Sequence, residues 1–149
     1  MCKKKCKNLK LYICLAASLA LSIFFLLNFK IIIVEGNSMQ PTFNNGKILL
    51  AKKGGAFNKN DIIVFKYKDE LLVKRIIAVG KDIVTLCDSS IYINDVKISP
   101  FSYEGDKKEY NLKDDYFFVI GDNYQQSIDS RSFGPVSKEN IIGKVMFYD

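Results

Sequence analysis

The chain contains no histidine, so a Ser-His-Asp triad, a Cys-His dyad and a histidine-ligated metal are all excluded by composition. Chemistry is left to serine, lysine and carboxylates, and three stretches hold the candidates. Ser38 lies in Glu35-Gly36-Asn37-Ser38-Met39-Gln40-Pro41-Thr42. Gly36 opens backbone conformations closed to other residues, and Pro41 fixes its own φ and lacks a donor. Such a segment can hold a serine at one place on an irregular loop, although an ordinary solvated turn has the same composition. Lys74 lies in Leu71-Leu72-Val73-Lys74-Arg75-Ile76-Ile77-Ala78-Val79. Strand alternation puts it on one face with Leu72, Ile76 and Ala78, and Arg75 on the other with Val73 and Ile77. A lysine on an apolar face either snorkels to an edge or is held neutral by burial. The third stretch, Gly121 to Val136, carries small polar groups, the carboxylates of Asp122 and Asp129, and Arg131. It suits a loop that braces something, or a plain surface loop with an Asp129–Arg131 pair of little energetic worth.

Serine and lysine suffice for amide hydrolysis under one condition. Serine must pass its proton to a base, and a free lysine, with a pKa of roughly 10.4, is charged near neutral pH. Burial disfavours the charged form and lowers that value by as much as several units. The neutral amine then takes the serine proton and later returns one to the leaving group. The backbone N–H of Ser38 is a natural oxyanion donor.

The elements that must position these groups are mostly strands. Runs at Ile31–Val34, Lys47–Lys52, Asp61–Tyr67, Glu70–Val79, Ile83–Leu86, Ile91–Asp95, Val96–Ile98, Tyr116–Ile120 and Ile141–Tyr148 are short, apolar and bounded by turn residues. Asn94-Asp95 marks a hairpin turn. Pro100 to Asp115 is polar and charged and reads as a surface excursion. No helical pattern of useful length follows residue 30. Many short strands imply an all-β sandwich or barrel.

One helix precedes them. Leu11 to Phe29 is uncharged and broken only by Ser18, Ser22 and Asn28; as a helix it spans roughly 30 Å, the hydrocarbon thickness of a bilayer. Its end, Phe24-Phe25-Leu26-Leu27, is bulky, unlike the small-residue end of a cleavable leader. The expected organisation is a basic cytoplasmic tail at 1–10, a transmembrane helix at 11–29 and a domain at 31–149. The net charge of +6 belongs to the tail: from Ile31 onward, 14 Lys and 2 Arg balance 16 acids. Those lysines keep the tail cytoplasmic by the positive-inside rule, which puts the domain outside and makes membrane lipid a partner. A neutral domain lacks the footprint of a nucleic-acid binder, so no nucleic acid is expected. Of four cysteines only Cys87 lies in the domain, so neither an internal disulfide nor a zinc site is expected, and no metal or cofactor.

Ser-Met-x-Pro-Thr, Asp-Ile-Ile-Val-Phe, Val-Lys-Arg-Ile-Ile and Gly-Asp-Asn-x-x-x-Ser-x-Asp-Ser-Arg-x-Phe-Gly, in that order after one anchor, resemble bacterial type I signal peptidases. The resemblance runs from Ile31 to the C-terminus. It implies a membrane-bound Ser-Lys endopeptidase of all-β fold that cuts signal peptides from exported preproteins at the outer face of the cytoplasmic membrane. It makes Ser38 the nucleophile and Lys74 the general base, and gives Ser127 the orienting of the lysine amine. Asp129 and Arg131 become a supporting ion pair, while Gly121, Asp122 and Asn123 shape the loop that brings Ser127 in. Gly36, Asn37, Met39 and Pro41 fall at oxyanion or substrate-binding positions. Many members carry a hydroxyl residue at the place of Gly36, so Gly36→Ser is expected to raise turnover a few-fold unless Gly36 is needed for positive φ. The family's Gly-x-Pro-Gly-Asp turn reads Ala78-Val79-Gly80-Lys81-Asp82 here, and Tyr124-Gln125-Gln126 replaces a stretch that usually carries arginine and asparagine. Rival readings are a dedicated pilin-type or accessory peptidase, a repressor-type autoprotease, which needs a DNA-binding domain in place of the anchor, and a non-catalytic membrane-anchored binding homologue, which would lack Ser38 or Lys74.

Overall fold

A computed structural model describes residues 2–98 and 100–146, with side chains from Leu9 onward. Helix α1 covers Cys2–Asn28, and Leu9–Asn28 is long and apolar enough to cross a membrane, with none of it buried in the rest of the chain. Phe29, expected as the last anchor residue, instead opens strand β1 (Phe29–Ile33). The join is tied to the domain: Lys53 Nζ donates to Leu26 O at 2.8 Å and the Lys53 amide to Asn28 O at 2.8 Å.

The strands that follow are β2 (Ile48–Lys52), β3 (Ile62–Tyr67), β4 (Glu70–Ala78), β5 (Ile83–Cys87), β6 (Ser90–Ile93), β7 (Val96–Ile98), β8 (Lys108–Asn111), β9 (Tyr116–Ile120), β10 (Val136–Ser137) and β11 (Ile141–Met146). Residues 147–149, the end of the last expected strand, lie outside the described residues. Three elements depart from expectation. Strand β8 arises inside the supposed surface excursion, where it lies along β5 with only Tyr110 partly buried, so no apolar alternation announced it. A four-residue helix α2 (Ser130–Phe133) and the two-residue β10 are too short for any periodicity.

Among the described residues all pairings are antiparallel and form two sheets, β1-β2-β11-β3-β4-β9-β10 and β7-β6-β5-β8. Neither closes, so the sandwich expectation holds and the barrel does not. The hairpin at Asn94-Asp95 has φ of 51° and 65°, the left-handed pair that matches strand twist in a two-residue turn. Strand β3 is buried on both faces: Ile62 and Val64 pack with Ile32, Met39, Phe43 and Leu49, while Ile63 and Phe65 pack with Ile76, Phe117 and Val119. A third cluster, including Ile77, Val84, Leu86, Ile91 and Phe118, joins the two sheets.

Strand β4 carries the candidate lysine. Its Glu70–Arg75 half pairs with β3, with Lys74 opposite Ile63. Among the described residues β9 joins its other edge only from Arg75 onward. Alternation holds for Leu72 and Ile76, which share one cluster, and fails at Ala78. A bulge between Ile76 and Ala78 puts Ala78 with Ile77 in the inter-sheet core.

Candidate active site

Ser38 stands on the irregular connection between β1 and β2. The connection is pinned at its base, where the Gly46 amide donates to Val34 O at 2.8 Å, and across its middle, where the Phe43 amide donates to Met39 O at 2.8 Å. Met39 and Phe43, 1% and 3% exposed, insert into the core and press the loop onto the sheet. Met39 therefore anchors the loop through its side chain. Asn37 and Pro41 are exposed, and Gly36 adopts φ +82° with its N–H on Asn45 Oδ1 at 3.0 Å. That φ lies where L side chains are strained, so Gly36 is present for its backbone, and the expected gain from Gly36→Ser falls under its own exception.

Lys74 does not snorkel. It is 2% exposed, and its Nζ lies 2.6 Å from Ser38 Oγ. Burial pushes its pKa from 10.5 down to about 8; the carboxylates of Asp129 and Asp122 oppose that fall, and Arg131 adds to it. No carboxylate forms an ion pair with it among the described residues.

The segment after β9 closes over these two residues. The Asn123 amide donates to Ser38 O at 3.0 Å, and Asn123 Nδ2 donates to Asn37 O at 3.1 Å. This loop therefore holds the Ser38 backbone directly. Asp129 is fully buried and accepts from the Gly121 amide at 3.1 Å and from Arg131 Nε and Nη2 at 2.8 and 2.9 Å. Arg131 also donates to Ser102 O and Tyr124 O at 2.9 and 2.6 Å. The pair is a buried clamp and no surface decoration. Gly121 is required by space: a Cβ there would strike Ser127 Oγ and the carbonyl of Ser38.

Two findings differ from the sequence reading. Ser127 sits beside Gly121 as anticipated, but its Oγ is buried without a hydrogen-bond partner, so it does not hold the Lys74 amine here. The amine is bonded to Ser38, while Arg131 fixes the chain around Ser127 through the Ser127 carbonyl at 3.4 Å. The second is Arg75, which sequence reasoning passed over. It grips Asp122 through Nε–Oδ1 at 2.8 Å and Nη2–Oδ2 at 2.7 Å, and reaches Asn60 O and Thr42 Oγ1 at 3.1 and 3.5 Å. One side chain thus links β4, the Ser38 loop and the 121–131 segment. A guanidinium in an apolar strand, with an aspartate in a later polar block, was the available signal.

A groove of about 650 Å³ lies along the two segments that precede Ser38 and Lys74 in the chain. Lys30–Ile33 and Glu35 form one wall and Asp69–Leu72 the other. The first wall is the terminal strand of its sheet and the second is the half of β4 that β9 leaves uncovered. Both walls run, residue by residue, toward Ser38 and Lys74. Among the described residues no three His, Cys, Asp or Glu side chains gather as metal ligands.

In fold the chain matches a signal peptidase I structure from Enterococcus faecalis, with a TM-score of 0.50 and 24% identity over 62% of this chain and 98% of that one. By sequence it is 33% identical over 138 residues to signal peptidase I V of Bacillus subtilis (75% of this chain, 80% of the relative). It is 32% identical over 170 aligned positions to signal peptidase I U of the same organism (97% and 91%). The family model for signal peptidase, peptidase S26, matches residues 6–148. The chain belongs to that family and is a peptidase of the signal-peptidase type, anchored by its N-terminal apolar helix.

Proposed function

We propose that the chain hydrolyses the bond between signal peptide and mature protein with Ser38 as nucleophile and Lys74 as general base. One observation carries the reading: a serine hydroxyl 2.6 Å from a buried lysine whose pKa is lowered to about 8. A neutral amine at that distance accepts the hydroxyl proton as Ser38 Oγ attacks the carbonyl carbon, and the resulting ammonium protonates the leaving amine. The acyl-enzyme is then hydrolysed by water that Lys74 deprotonates in turn. The Ser38 N–H points to one oxyanion contact. The bidentate pairs Arg75–Asp122 and Arg131–Asp129 act as positioning groups, holding the walls of the site while drawing both carboxylates away from the amine.

The groove supports an extended substrate. Two strand edges unpaired among the described residues offer main-chain donors and acceptors to a peptide added as a strand, the usual way a sheet reads an extended chain. The groove begins at β1, directly after the membrane-length helix, and Ile31, Ile33 and Ile48 beside it are 60–66% exposed. Both features fit a site at the bilayer surface. The lysine-rich tail supports a cytoplasmic N-terminus and an extracytoplasmic domain at residues 31–149. Exported preproteins in the membrane are the matching substrates.

The test is direct. Detergent-solubilised chain is incubated with labelled preproteins and the new N-termini are sequenced. Cleavage after short, small-residue motifs, absent in Ser38→Ala, is the expected result. Cleavage that persists in Ser38→Ala would contradict the assignment.

A further inference from the structure

An endopeptidase's substrate extends to both sides of the scissile bond, and the groove, which begins beside the membrane-length helix, offers room for one of them. A second cavity, of about 460 Å³, is lined by Ser102, Tyr103, Glu104, Tyr124, Gln125 and Ser127, with Arg131 and Ser132 behind them. It shares no lining residue with the groove. It meets the site through Ser127, which packs so tightly against Gly121 and the Ser38 carbonyl that no Cβ fits between them. The cavity thus adjoins the Ser38 backbone and is separate from the groove.

Its chemistry is uneven. Arg131 is spent on Asp129 and three carbonyls, and the Tyr103 hydroxyl on Asp106 O at 2.8 Å. Glu104 enters no ion pair among the described residues. The uncompensated charge on the cavity wall is therefore negative.

We propose that this cavity receives the first residues of the mature chain, and that Glu104 selects there for a basic over an acidic side chain. The inference rests on the endopeptidase reading above and adds a specificity determinant to it. Glu104 is solvent-exposed, so its effect is screened: an exposed ion pair corresponds to roughly a two- to fivefold preference.

Three peptide substrates test it, alike up to the cut and bearing Lys, Gln or Glu at the first two mature positions. Wild type should favour Lys over Glu by about two- to fivefold in kcat/KM, Glu104→Gln should level the ratio, and Glu104→Lys should invert it. The wild-type preference should shrink in high salt. Unchanged ratios in Glu104→Lys, with cleavage intact, overturn the subsite and leave the dyad standing. Wild-type chain that cuts none of the three, or Ser38→Ala that cuts them all, overturns both.

Discussion

Lys74 and Arg75 are neighbours on one strand, both cationic by type and both largely enclosed, yet their surroundings differ completely. Arg75 meets Asp122 in a two-pronged pair, whereas Lys74 meets a serine hydroxyl and apolar side chains. The guanidinium remains charged in any environment of this kind, so the fold supplies it with a carboxylate. The amine can shed its proton, so the fold withholds one. Asp129 and Asp122, the two carboxylates that act on Lys74 electrostatically, are each held by an arginine instead. On the proposed mechanism, the amine is kept available as a base by where its neighbours' counter-charges are directed.

The contrast is broken most severely at the reacting groups. Ser38→Ala should remove cleavage, and Lys74→Ala should lower kcat by at least about 10²–10⁴, the usual worth of a general base. Lys74→Arg should fail equally, because guanidinium does not release a proton in this range. Thermal melts near the wild-type value should accompany the two alanine losses, whereas Lys74→Arg, which encloses a permanent charge without a carboxylate, should melt lower. Next in size is the buried clamp. Asp129→Ala or Arg131→Ala leaves one charge enclosed and unpaired, and should cost about 3–5 kcal/mol in denaturant titrations. Melting like wild type in both would remove the clamp from the account.

The same replacement at the two cations should move stability in opposite directions. Arg75→Met strands Asp122, whose side chain is 11% exposed beside an arginine at 22%, and should destabilise by about 2–3 kcal/mol. Lys74→Met should do the opposite. Lowering the amine from 10.5 to about 8 corresponds to roughly 3 kcal/mol of unfavourable burial below pH 8, part of which methionine recovers. Between pH 8 and 10.5 the unfolded lysine binds more protons than the folded one, so wild-type stability should rise with pH and close the gap to Lys74→Met. The smallest effect concerns Lys81, at φ +76° where the family pattern has glycine. Lys81→Gly should add about 0.5–1 kcal/mol with no change in activity, read as a small rise in Tm.

What was legible in advance were the things coded by contiguous residues. The strands showed as apolar runs, the anchor as an uncharged stretch, and Ser38, Lys74 and the 121–131 block as local motifs. What stayed hidden depends on contacts between distant segments. The Arg75–Asp122 pair spans 47 positions, and nothing local ties an arginine to a particular aspartate. The burial of Met39 is created by the sheet beneath it, which no pattern within its own loop announces. Strand β8 is held by its partner's backbone and carries no apolar stripe of its own. Gly36 was ambiguous between a missing hydroxyl and a required backbone, and only its φ decides the matter. Ser127 lies beside Gly121 and the Ser38 carbonyl, and the close backbone approach at Gly121 that puts it there is encoded by no motif.

The central claim, that Lys74 acts as a neutral base, is tested most directly by kcat/KM against pH on a single signal-peptide substrate. The base works only when deprotonated, so kcat/KM should climb about tenfold per pH unit at low pH, bend near pH 8 and level off above it. A profile flat from pH 6 to 10, or one still climbing toward an ordinary lysine value of roughly 10.4, would contradict it.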